Sequence, residues 1–252
     1  MHKVVHILAC GKSGGIETLV AEYAKKSSHN NYFVFVWEDG YYEQQIRECS
    51  CNTYFLVGSF KATQELIAII KSVKPDVIVT HHGSPMIRVY VTLLSILFRR
   101  IPVLMYVHCD AKDELSGNNE TARKVINITA AKSAKRIIAI SNYVKKSIIV
   151  NFKARAEKIK VVYNGVNVSR FAERCLSAHD PVRLVFVGRL VKVKGVQIAL
   201  EAIKICKENG YNLSFTIVGD GEYRERLEKT AKELALNQNC SFVGTRRDVP
   251  QI

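Results

Sequence analysis

Short runs of branched apolar residues alternate along this chain with longer stretches in which apolar positions recur every three or four residues. The short runs at 4–9, 32–37, 53–57, 77–80, 103–107, 137–140 and 159–162 predict strands. Those at 77–80, 103–107 and 137–140 are apolar at nearly every position, as strands covered on both faces must be. The helical period appears at 16–28 and 61–73. Strand and helix in alternation predict parallel βαβ units. The stretch 86–100 is apolar with Arg88, Arg99 and Arg100 towards its ends, which fits either a core helix or one lying on a membrane surface.

Asn164-Gly165 is a turn signal and 177–181 reads as a linker. The rhythm then restarts, with strands at 183–187, 213–218 and 241–243, helices at 196–209 and 222–236, and a helix opening at Asp248. Two Rossmann-like domains are expected, 1–176 and 183–252, joined by 177–182. Three strands are few for a doubly wound sheet, so the second domain is expected to be incomplete.

Composition changes this picture in one respect. The 252 residues are 48% hydrophobic and 24% charged, ordinary for a globular protein, but the formal net charge is +14. Residues 181–252 hold 12 Lys and Arg against 8 Asp and Glu; the first 180 residues carry the remaining +10. Between 132 and 174 there are 11 basic residues, and the acids are Glu157 and Glu173. Such a run is either a solvated face or a surface for a polyanion or an anionic membrane. Recognised nucleic-acid motifs are missing, which argues against nucleic acid. Seven irregularly spaced cysteines suit a reducing cytosol rather than a disulfide framework or a zinc site. The first apolar run is too short for a signal peptide and 89–98 too short to span a bilayer.

Two loops carry candidate chemistry. In Gly11-Lys12-Ser13-Gly14-Gly15, between strand and helix, glycines allow backbone N–H groups to approach a phosphate, although a plain tight turn has the same composition. In Gly188-Arg189-Leu190-Val191-Lys192-Val193-Lys194-Gly195, a strand delivers two cations to a helix start, where a sheet of this kind binds ligands. Arg189 and Lys194 there suit a diphosphate that gains charge as it leaves.

With these loops, Gly14-Gly15-Ile16-Glu17, Val107-His108-Cys109-Asp110, Ile140-Ser141-Asn142-Tyr143, Tyr163-Asn164-Gly165-Val166 and Val218-Gly219-Asp220-Gly221 occur in an order and spacing that resemble the retaining glycosyltransferases of family 4. The resemblance covers nearly the whole chain and implies a GT-B fold, two Rossmann-like domains facing across a cleft. It implies that Arg189 and Lys194 grip the diphosphate of a nucleoside-diphosphate sugar. Gly14 and Gly15 would let the first loop close over it, and His108 would face the donor sugar. Gly188, Gly219 and Gly221 would approach the nucleotide. His81-His82 would line the acceptor side or form an ordinary loop pair; Asn164 and Gly165 would shape a turn. The acceptor would be a glycan or a lipid-linked glycan of bacterial surface polysaccharide or lipopolysaccharide. The expected place is the cytoplasm, at the inner face of the membrane. No cofactor and no metal is expected, since there is no Asp-x-Asp triplet and the nucleotide sugar is a co-substrate. The Glu-rich motif that the family carries after a further strand does not occur before Ile252, and Asn167 stands where Asp is frequent. A chain truncated at its C-terminus and inactive as given is therefore the expectation, an inactive remnant of such an enzyme being the alternative.

Overall fold

The computed structural model describes residues 1–11, 14–38, 40–49, 51–56, 60–81, 84–170, 182–246 and 248–252. The chain divides into two units, Met1–Val166 and Asn167–Ile252. In the first, the strands are β1 (Lys3–Cys10), β2 (Asn30–Glu38), β3 (Asn52–Phe55), β4 (Val77–Thr80), β5 (Val103–Val107), β6 (Arg136–Ala139) and β7 (Ile159–Val161). Helices α1 (Gly15–Lys26), α2 (Tyr41–Glu48), α3 (Phe60–Val73), α4 (Pro85–Leu97), α5 (Ala111–Leu115), α6 (Glu120–Ser133) and α7 (Asn142–Phe152) connect them. All strands are parallel in the order β3-β2-β1-β4-β5-β6-β7.

Handedness explains where the helices go. The path steps one way from β1 to β3 and the other way from β3 to β7. Right-handed crossovers therefore place α1 and α2 on one face and the later helices on the other. The cores agree. Leu8, Phe33 and Phe35 pack with Val20, Ala21, Ala24 and Ile46 on the first face. Val5, Ile7, Met105, Val107, Ile137 and Ile159 pack with α3, α4, α6 and α7 on the second. The first face is thereby left without a described helix over β4 to β7. A cavity of about 460 Å³ lies there, walled by Val4, Val79, Leu104, Tyr106, Ile138 and Val162.

Local signals set the helix ends. Pro85 opens α4 and the Ser84 hydroxyl accepts from the Ile87 amide at 3.4 Å. The Ser141 hydroxyl accepts from the Val144 amide at 3.1 Å to start α7. Within the stretch 86–100, α4 turns Ile87, Arg88, Tyr90, Val91 and Leu94 into the core and leaves Met86, Val89, Ile96 and Leu97 exposed. Lys158, part of the basic run, turns its ammonium to the carbonyls of Lys132 and Ala134 at 2.5 and 3.0 Å, closing the C-terminal end of α6.

The second unit has β8 (Val182–Val187), α8 (Val196–Glu208), β9 (Leu213–Val218), α9 (Arg224–Glu233) and β10 (Cys240–Gly244), its parallel sheet ordered β10-β9-β8. Leu200, Ile203, Phe215, Ile217, Leu227 and Leu236 form its core. Residues 57–59 and the 177–181 linker lie outside the described residues, as do Lys12, Ser13 and His82. A 3-10 turn (Val249–Gln251) follows Asp248.

Candidate functional site

Parallel strands bring every strand-to-helix loop of a unit to one edge of its sheet, the edge where α/β proteins bind ligands. In the first unit that edge carries Gly14 and Gly15 after β1, His81 after β4, His108 after β5 and Asn164 after β7. Gly14 caps α1 in extended conformation, and a Cβ there would fall 2.2 Å from the Glu17 carboxylate, which folds back over the start of its own helix. Around Gly15 a Cβ would meet nothing within 4 Å. Asn164 and Gly165 border the cavity on the sheet face.

His108 is half-buried, its ring 4.2 Å from that of Tyr106 and 5.8 Å from that of His81, centroid to centroid. Behind it lies a buried polar chain that sequence reading does not reveal. His81 Nε2 is 3.0 Å from His6 Nδ1, and His6 Nε2 is 3.2 Å from Asn31 Oδ1. The Asn31 amide nitrogen donates to the His29 carbonyl at 3.0 Å, so its oxygen faces His6 and accepts. Neutral His6 then carries its proton on Nε2 and accepts from His81 on Nδ1. Burial, partly opposed by the Asn31 hydrogen bond, lowers the His6 pKa from 6.5 to about 4.

The loop after His108 is tied down at several points. The Asp110 carboxylate accepts from the Lys112 amide at 2.9 Å, from the Tyr143 hydroxyl at 2.7 Å and from the Ser147 hydroxyl. Those contacts, the one from Ser147 foremost, hold its pKa below the usual carboxylate range. Glu114 pairs with Arg88 of α4 through Nη2–Oε1 and Nη2–Oε2 distances of 2.8 Å and Nε–Oε2 of 3.1 Å. Both residues are buried. The Cys109 thiol sits 3.6 Å from Glu114 Oε1; burial, then that carboxylate, pushes its pKa up to about 12. An arginine inside an otherwise apolar stretch is the one sequence signal for this pair.

In the second unit, Gly188 and Arg189 follow β8, and Lys192–Lys194 forms a 3-10 turn that Gly195, at φ +74°, converts into α8. Arg189 and Lys194 are exposed, while Leu190 between them is fully buried and anchors the loop. Among the described residues no carboxylate pairs with either cation. The nearby acid of the β9 loop, Asp220, is engaged by the Gly221 amide at 2.8 Å and by Arg224 at 3.0 Å. The loops are laced together by Gly188 N to Val218 O (3.0 Å), Leu190 N to Asp220 O (2.9 Å) and Gly219 N to Gly244 O (2.8 Å). Gly219 and Gly221 have a structural reason to be glycine. A Cβ on Gly219, at φ +132°, would lie 1.9 Å from the Gly188 carbonyl oxygen; one on Gly221 would lie 2.5 Å from that of Leu190. Gly219→Ala is expected to destabilise this unit by about 2–4 kcal/mol, from strain and backbone displacement together. Hydrogen exchange would show it as lost protection in β8 and β9. Unchanged protection there would mean that the loops separate without cost.

Among the described residues, no group of three His, Cys, Asp or Glu side chains is placed to hold a metal ion, and no helix is long and apolar enough to cross a membrane.

Residues 13–170 match the family described as Glycosyltransferase Family 4, and residues 169–252 match Glycosyl transferases group 1. Over 217 residues the chain is 27% identical to the UDP-Gal:alpha-D-GlcNAc-diphosphoundecaprenol alpha-1,3-galactosyltransferase of Escherichia coli, covering 80% of this chain and 55% of that protein. Over 201 residues it is 25% identical to the capsular polysaccharide biosynthesis glycosyltransferase CapM of Staphylococcus aureus, covering 75% and 52%. The chain spans about half the length of the curated relatives it matches. The crystal structure of Anabaena Alr3699/HepE in complex with UDP-glucose superposes with a TM-score of 0.82 at 22% identity, over 100% of this chain and 71% of that one.

Proposed function

The chain belongs to glycosyltransferase family 4 and has the GT-B fold, and from that premise we propose that it moves a sugar from a nucleoside diphosphate to a glycan or lipid-linked acceptor. The observation that carries the reading is the pair of exposed cations, Arg189 and Lys194, at the carboxyl end of β8, with no carboxylate paired to either among the described residues. Their charge suits a leaving diphosphate, and the solved relative binds UDP-glucose. Positive charge from these side chains makes a metal unnecessary. The bond from the anomeric carbon to the phosphate oxygen breaks as the acceptor oxygen attacks from the same face. The departing phosphate oxygen takes the acceptor proton, and configuration is retained. His108 faces the donor sugar in this reading. The relative named for capsular polysaccharide biosynthesis favours assembly of a bacterial surface polysaccharide, and the one named for a diphosphoundecaprenol-linked GlcNAc favours a lipid-linked acceptor. Titration calorimetry with UDP, GDP, ADP and CDP tests the reading. Saturable binding of at least one nucleotide is expected, and no binding by any of them would overturn it.

A cytoplasmic protein resting on the inner face of the membrane fits the same reading. Lys132, Lys135, Arg136, Lys146, Lys153, Arg155 and Lys160 are exposed in the first unit, a density of charge that attracts anionic lipid within about a Debye length, ~8–10 Å. Sedimentation with vesicles should show binding to phosphatidylglycerol-containing membranes that high salt releases. Equal binding to neutral and anionic vesicles, or to neither, would exclude it.

A further inference from the structure

We propose that Asp110 and Glu114 are positioning residues whose joint task is to fix the His108 side chain at the end of β5. The inference rests on the reading above only for what His108 does, not for where it is held. Helix α5 has five residues, too few to be stable by itself, since the first turn is the costly one. Its place is set instead by side chains that immediately follow His108, each tied to a different element. Asp110 binds Tyr143 and Ser147 of α7. Glu114 binds Arg88 of α4. Ala111, between them, is fully buried. His108 itself leans on Tyr106 of its own strand.

Stability alone does not account for the buried pair. Arg88 is fully buried and Glu114 is 7% exposed, and an ion pair at such a site generally contributes no more than well-packed apolar residues of similar volume. What charge adds is direction. A guanidinium fork and a carboxylate meet in few orientations, so the pair fixes the rotation of α5 about its own axis, which apolar contacts would leave loose. Asp110 adds a second point of attachment, and two points fix a short segment in space. One residue, Cys109, separates Asp110 from His108, and its thiol is itself turned to Glu114. Movement of α5 is therefore transmitted to the imidazole.

The test uses variants Asp110→Asn and Glu114→Gln, read first by NMR of the histidine rings, with His108 signals assigned from their loss in His108→Gln. In both variants the His108 ring signals should shift or broaden while those of exposed His29 stay in place. The alkylation rate of Cys109 should rise in Glu114→Gln, because the neighbouring carboxylate charge is gone. If Glu114→Gln does not fold, the apolar replacement Arg88→Met with Glu114→Leu should fold and still displace the His108 signals. Where sugar transfer is measured, kcat should fall about 10- to 100-fold with nucleotide affinity unchanged, the signature of misplacement rather than lost binding. Unmoved His108 signals in Asp110→Asn and in a folded Glu114 variant would overturn the proposal. The ring signals need no nucleotide, so failure of the transferase reading would show separately, as no nucleotide binding with the signals still displaced.

Discussion

Alanine at Arg189 or at Lys194 is expected to weaken nucleoside-diphosphate binding by about 10- to 100-fold each, the cost of deleting one hydrogen bond to a charged group. In a completed chain, donor turnover should fall further, by about a hundredfold or more, because the diphosphate gains charge as it leaves. Both side chains project from a loop that Leu190 and the backbone bonds to Asp220 already hold. Neither has to break an ion pair with a described carboxylate before it meets phosphate. The fold should be untouched, since both side chains are exposed. Arg189→Lys should restore only part of the loss: it keeps the charge but not the two-pronged donor geometry. Calorimetric titration of the three variants against the parent would check this, and parent-like affinity in both alanine variants would remove the cations from the site.

Acidification should destabilise the protein through His6 before most carboxylates matter. The His6 pKa is about 4 in the folded chain against 6.5 for the free side chain. The unfolded chain therefore binds more protons between those values, and stability falls as pH drops from 6.5 towards 4. A shift of this size corresponds to about 3 kcal/mol, complete by about pH 4 and absent above 6.5. Among the described surroundings, the Asn31 hydrogen bond compensates a proton only in part. His6 lies between Phe33 and His81, with Tyr23 edge-on and the Asn31 amide as its hydrogen-bond acceptor. Protonation would also remove the acceptor that His81 needs. Urea unfolding of His6→Gln and the parent between pH 7 and pH 4 would isolate the contribution, because the carboxylates are common to both. Parallel stability profiles would mean that His6 is not the group responsible.

Much of the fold is legible in the chain because buried strands of a parallel sheet must be apolar on both faces. Val77–Thr80 and Val103–Val107 coincide with the apolar runs to the residue, and Leu213–Val218 with an expected strand. Helix α2 is not legible: Tyr41–Glu48 buries only Glu43 and Ile46, which leaves no apolar stripe to read. Helix α6 turns Asn127, Ala130 and Ala131 inward, and small residues give a weak period. The site divides in the same way. Loop residues such as His108, Arg189 and Lys194 are marked by their position after a strand. The Arg88–Glu114 pair spans 26 positions and the His6–His81 contact 75; such partners are visible only once the sheet has brought them together. The glycines of the β9 loop lie between these cases. Their spacing is readable, but their nearest steric constraint proves to be the Gly188 and Leu190 carbonyls of the same unit.

The sheet face over β4 to β7, which no described helix covers, has a calorimetric consequence. Unfolding raises heat capacity chiefly by wetting apolar surface, at about 12–15 cal/mol/K per residue in ordinary domains. Leu104, Tyr106 and Ile138 are only partly covered in the folded unit, and Val162 is 44% exposed, so part of that surface is wet before unfolding begins. The increment for Met1–Val166 should be slightly smaller, and its stability curve slightly flatter, than full burial of that face would give.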